Sequence, residues 1–90
     1  DVVPAANEAA RRTGVEIAAS AEAAAAAAGV VVTMLQTGRQ VLDIFSGKGG
    51  SGGMLAAAAP GTLFLGCSTI AVGDARQAHA AAEAAGHRCL

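Results

Sequence analysis

VVVTMLQTGRQ, residues 30–40, passes from β-branched apolar residues into a polar turn and then a helical pattern, and GTLFLGCSTIAVGD, residues 61–74, makes the same passage again. A nearly unbroken run of Val, Met and Leu is expected of a parallel-sheet strand covered on both faces. The first stretch therefore predicts a central strand over 30–35 and the second another strand over 62–67. Thr37 stands where a side-chain oxygen can accept from the free N–H groups of a following helix. This predicts a helix over 38–45, with Val41, Leu42, Ile44 and Phe45 on one apolar face.

Outward from these two stretches the alternation continues. Pro4 suits a first helical turn and Gly14 the position past a helix end, giving a helix over 4–13. Residues 15–18 alternate apolar and polar between Gly14 and Ser20, which predicts a short strand. Ser20 then caps an Ala-rich helix over 21–28 stopped by Gly29. Residues 46–53 form a Gly-rich flexible loop, 54–59 a short helix ended by Pro60-Gly61, and 72–85 an Ala-rich helix with Asp74 in its first turn. Residues 87–90 begin one more strand. Helix and strand in strict alternation imply an α/β fold with a partial doubly wound, Rossmann-like parallel sheet in a single domain over 1–90.

Composition narrows the function classes. Ninety residues bury little surface, and with two Phe and no Tyr or Trp few side chains are large. A formal charge of -1 with scattered Lys and Arg offers no basic face for nucleic acid and no polybasic run for a membrane. The longest apolar stretch, 23–35, is mostly Ala and shorter than the roughly 20 residues that span a bilayer. Cys67 and Cys89 read as reduced structural thiols, and His79, His87 and Cys89 lack the spacing of a metal site. Glu16, Glu22 and Glu83 read as solvated surface, and no Ser, His and Asp set is arranged for nucleophilic catalysis. KGGSGGM, residues 48–54, is similar to a phosphate loop, but Gly53 and Met54 replace the Lys and Thr that phosphate and magnesium need. A flexible linker is the preferred reading there.

In doubly wound sheets ligands lie beyond the carboxyl ends of the strands, here Met34-Leu35-Gln36-Thr37 and Cys67-Ser68-Thr69-Ile70. TMLQTGRQVLD and GTLFLGCSTIAVGDARQAHAAAEAAGH resemble the 3-hydroxyisobutyrate dehydrogenase, or β-hydroxyacid dehydrogenase, family, whose cofactor domain is like that of 6-phosphogluconate dehydrogenase. Members carry a strand ending near Met-Leu-Pro and a later strand ending in Asp-x-Ser-Thr-Ile. The likeness covers nearly the whole chain. It implies NAD as cofactor and a small 3-hydroxy acid as substrate. It also places Leu35 and Gln36 against the dinucleotide, Gln40 on the cofactor side of its helix, Thr69 near the nicotinamide, and Ser68, more weakly, beside the substrate. Asp1 would end the second strand of the nucleotide fold, where an acid binds ribose hydroxyls and disfavours NADP.

Three departures stand out: Gln36 where Pro is usual, Gly66 where Asp is usual, and a longer loop at 46–53. The chain opens at Asp1 without Met and stops at Leu90 within an expected strand, so it reads as an internal piece of a longer enzyme. The first βα unit with its Gly-rich turn, the substrate segment and the family's Lys acid/base would all lie elsewhere. No catalytic residue is assigned, and the isolated chain is expected to be inactive. A tartronate semialdehyde reductase-like enzyme and a non-catalytic dinucleotide-binding or interaction module stay open as alternatives. The resemblance further implies a cytoplasmic or mitochondrial-matrix enzyme, with room for a homo-oligomer.

Overall fold

The computed structural model describes residues 1–50 and 52–90. Five helices, α1 (Pro4–Arg12), α2 (Ala21–Ala26), α3 (Gly38–Ser46), α4 (Gly53–Ala57) and α5 (Val72–Ala84), accompany three strands, β1 (Val30–Thr33), β2 (Leu63–Gly66) and β3 (Arg88–Cys89). The strands lie in the order β1-β2-β3, all parallel, with Val31 beside Phe64 and Phe64 beside Cys89. Sequence order equals spatial order, as in the second half of the 3-2-1-4-5-6 arrangement of dinucleotide-binding sheets. The fold is α/β and partially Rossmann-like.

The two caps that the sequence implied are both made. Ser20 Oγ accepts from Ala23 N at 3.0 Å at the start of α2, and Thr37 Oγ1 accepts from Gln40 N at 3.2 Å at the start of α3. The chain turns from α3 into α4 through a short 3-10 turn, Lys48–Gly50, kinked at Gly49. Of the expected loop 46–53, Ser46 therefore closes α3 and Gly53 opens α4, while Ser51 lies outside the described residues. The phosphate-loop-like stretch 48–54 includes that same residue. Gly53 has φ +48, and a Cβ there would lie 2.5 Å from Gly47 N and 2.6 Å from Phe45 O. A side chain is barred both by the left-handed backbone and by the backbone atoms its Cβ would meet.

The core lies on one face of the sheet. Ala25 of α2, Val41 and Phe45 of α3, Met54 and Leu55 of α4, and Ala78 and Ala82 of α5 pack with Phe64, and Val31 and Cys89 lie against them. The two aromatic residues of the chain meet at its centre, ring centroids 5.2 Å apart and planes tilted by 59°. Such tilted pairs add about 0.5–1.5 kcal/mol beyond their burial. His87 packs against the same Phe64 ring at 5.2 Å. Its Nε2–H donates to Leu55 O at 2.7 Å, so the proton sits on Nε2 and the buried Nδ1 has no protein partner.

Two expectations are corrected. β1 is an edge strand covered on one face, not a central strand covered on both, with Val30 53% and Val32 62% exposed. Its composition suits burial on both sides, but among the described residues no element packs on its outer edge. Residues 15–18 form no strand. A strand exists only through hydrogen bonds to a neighbour, and in the Rossmann order a third strand pairs with the second, not with any of the three strands present here. α1, tied internally by Glu8 to Arg11 at 2.8 Å, buries none of its residues.

Candidate dinucleotide site

Parallel pairing persists up to the carboxyl ends of the strands, where Cys67 N donates to Thr33 O at 2.8 Å and Gly66 N to Leu90 O at 2.7 Å. The turns beyond β1 and β2 are thus held side by side. Ser68 Oγ reaches across and accepts from Leu35 N at 2.7 Å, a partly buried bond between residues 33 apart in sequence. One residue on, Gln36 N donates to Gln40 Oε1 at 3.0 Å. Together with the Thr37 cap this makes a reciprocal lock of the capping-box kind, displaced by one residue so that the glutamine serves the N–H before the cap.

A cavity of about 400 Å³ runs along the outer edge of β1. Asp1, Ala24, Thr33, Leu35, Ile44 and Met54 are among its walls. Asp1 enters it from the far end of the sequence: one carboxylate oxygen accepts from Val3 N at 2.8 Å, and the Asp1 carbonyl accepts from Asn7 Nδ2 at 2.9 Å. Thr33 contributes a buried hydroxyl with no protein partner. A mostly apolar slot with one acid among its walls suits a flat, partly polar ligand.

The structure thus brings Asp1 and Leu35 to one cavity, Ser68 to Leu35, and Gln36 to Gln40. Thr69 is exposed on the turn beyond β2 and is not among the residues lining this cavity. Thr33 went unremarked in the sequence, although it is the single polar residue within the run 30–35 and so the available signal. The larger hollow, about 600 Å³ and lined by Leu55, Pro60, Ala81 and His87, sits at the amino ends of the strands, away from the turns.

Cys67 is exposed beside Ser68, and Cys89 is half-buried. Burial first, and the nearby Glu83 carboxylate second, push the Cys89 thiol up. Among the described residues no three His, Cys, Asp or Glu gather as a metal site, and no helix is long and apolar enough to cross a membrane.

Comparisons with known proteins bear on the fold and the family. The family model of the NAD binding domain of 6-phosphogluconate dehydrogenase matches residues 1–90. A probable 3-hydroxyisobutyrate dehydrogenase of Mycobacterium tuberculosis is 45% identical over 86 residues, covering 96% of this chain and 27% of that protein. An NAD-dependent L-serine dehydrogenase of Pseudomonas aeruginosa is 41% identical over 86 residues, again 96% of this chain and 28% of the relative. The chain therefore spans little more than a quarter of the length of these relatives. Among solved structures, Mycobacterium tuberculosis 3-hydroxyisobutyrate dehydrogenase with L-serine superposes with a TM-score of 0.90 at 44% identity, over 99% of this chain and 28% of that one. A Salmonella typhimurium 3-hydroxyisobutyrate dehydrogenase superposes at 0.80 with 26% identity, over 99% of this chain and 30% of that one. Match and superposition both run the length of the chain, which belongs to the family of the NAD-binding domain of 6-phosphogluconate dehydrogenase.

Proposed function

We propose that these residues form one side of the dinucleotide site of an NAD-dependent dehydrogenase acting on a small 3-hydroxy carboxylate, with 3-hydroxyisobutyrate the leading substrate. The observation that carries this reading is the meeting of Asp1 and Leu35 in one cavity along the outer edge of β1. Asp1 has one carboxylate oxygen engaged by Val3 N. Its second oxygen accepts from the adenosine ribose hydroxyls, and its charge disfavours a 2′-phosphate, selecting NAD over NADP. Leu35, half-buried, supplies an apolar wall for the adenosine, and Thr69, exposed on the next turn, faces the nicotinamide end. NAD, when bound, supplies the hydride acceptor. The residues of this chain bind and orient it and carry no acid/base group for the reaction.

L-serine is a second substrate within the same chemical class, favoured by the Pseudomonas aeruginosa relative and by the ligand in the Mycobacterium tuberculosis structure. The test is a panel of 3-hydroxyisobutyrate, L-serine and tartronate semialdehyde with NAD(H) and NADP(H), run on the whole protein that carries these residues. NAD-linked turnover of a 3-hydroxy acid, with Asp1→Ala narrowing the preference for NAD over NADP by about tenfold or more, supports the reading. Equal use of NADP by the wild type, or turnover of none of the panel, overturns it. The 90-residue chain by itself is expected to show no hydride transfer.

A further inference from the structure

Ser68 and Gln40 each spend a side-chain oxygen on the same short turn. Ser68 Oγ holds Leu35 N at 2.7 Å, and Gln40 Oε1 holds Gln36 N at 3.0 Å. Two consecutive backbone donors at the end of β1 are thereby consumed inside the protein, and neither is left for a phosphate or carboxylate of a bound ligand. Gln36 is also where this chain departs from the Pro of the resemblance. Proline would stiffen the turn by fixing φ and would bring no N–H. Gln36 brings an N–H and a freer backbone, and Gln40, four residues on, engages that N–H.

We infer that Ser68 and Gln40 are positioning residues: the Ser68 hydroxyl clamps the amide of Leu35 and holds the two strand-end turns in register, and the Gln40 side-chain carbonyl clamps the amide of Gln36 within the first of them, so that the Leu35 side chain faces the dinucleotide. Leu35 and Gln36 then meet the ligand through side chains and carbonyls, not through their amides. Ser68 carries more of the effect than Gln40. Its bond is partly buried and joins β1 to β2, whereas the glutamine bond is exposed and local. An orphaned, partly buried amide costs more than one that water can reach.

The kinetic arm of the test rests on the dinucleotide reading; the exchange arm does not. In residue-resolved amide hydrogen exchange on the whole ligand-free protein, Ser68→Ala is expected to accelerate exchange at Leu35 about five- to tenfold, the equivalent of one lost hydrogen bond. Ser68→Thr, which keeps the hydroxyl, leaves Leu35 protected. Gln40→Leu accelerates Gln36 alone, and Gln40→Glu, which keeps an acceptor oxygen, restores its protection. In steady-state kinetics Ser68→Ala raises the KM for NAD about three- to tenfold, more than it raises the KM for the hydroxy acid. Unchanged exchange at Leu35, or a rise confined to the hydroxy-acid KM, overturns the inference. If the wild type shows no NAD-linked turnover, the function reading falls and the exchange arm alone decides the clamp. If Ser68→Ala does not fold, Ser68→Thr and the Gln40 pair carry the decision.

Discussion

The two faces of the three-stranded sheet are built from the same kinds of residue and have different fates. On one, Val31, Phe64 and Cys89 stand in register beneath four helices, and Phe64 is fully buried between Phe45 and His87. On the other, Val30 beside Leu63 and Val32 beside Leu65 look outward, and Leu90 ends the row 72% exposed. Along a strand, side chains alternate between faces whatever their identity, so VVVT places its first and third valines opposite its second. Burial is conferred by what packs above the strand, not by the valine itself. Equal hydrophobicity on the two faces thus carries unequal stability, and substitutions can measure the difference.

The largest effect is expected at Phe64→Ala. Removing a fully buried ring that touches Phe45 and His87 should cost about 3–5 kcal/mol, which for a domain of this size is a large part of a total stability of roughly 5–15 kcal/mol. Chemical denaturation would show loss of a cooperative transition or a much lower midpoint. A change below about 1 kcal/mol would mean that the helices do not cover this face as a packed core.

Gly38→Ala comes next. The first residue of α3 abuts α5, and a Cβ there would meet the Asp74 carboxylate and lie 2.6 Å from Asp74 Cβ. Overpacking between two helices on the covered face should cost about 1–3 kcal/mol. Asp74→Gly in the same chain should return most of it. A Gly38→Ala variant as stable as wild type would show that α3 and α5 are not held this closely.

Val32→Thr, on the open face, should change the stability of this chain by no more than about 0.5 kcal/mol, the usual range for exposed positions. A cost like that at Phe64 would erase the contrast between the faces. The smallest effect is chemical: near neutral pH an alkylating reagent should modify exposed Cys67 before half-buried Cys89. The sign follows from the raised Cys89 pKa, which leaves less thiolate at any given pH and delays its reaction until higher pH. Mass mapping of the first modified site checks the order.

Punctuation residues carried most of what was legible beforehand. Pro4, Ser20, Gly29, Thr37 and Pro60-Gly61 act on their own backbone neighbours, and the helices and strands begin and end within a few residues of where these predicted. The reading failed at 15–18 and at the placing of β1, where the outcome depends on a neighbour far away in sequence or absent beside it. The candidate site divides the same way. The turns after β1 and β2 were visible as polar breaks after apolar runs, but the separate jobs of Ser68 and Gln40 were not, since Ser68 works on a residue 33 positions earlier.

By itself the sequence determined the alternation of helix and strand, the parallel sheet, the polar turns at the strand ends and the family likeness carried by MLQTG and CSTI. These follow from local backbone preference and side-chain periodicity, which act over a few residues. Only the tertiary structure decided which face of the sheet is covered, that Asp1 shares a cavity with Leu35, and that Ser68 and Gln40 occupy the amides of the β1 turn. Packing and cross-strand hydrogen bonds join residues that are distant in sequence, and no local pattern encodes which of two equally apolar faces will find a partner.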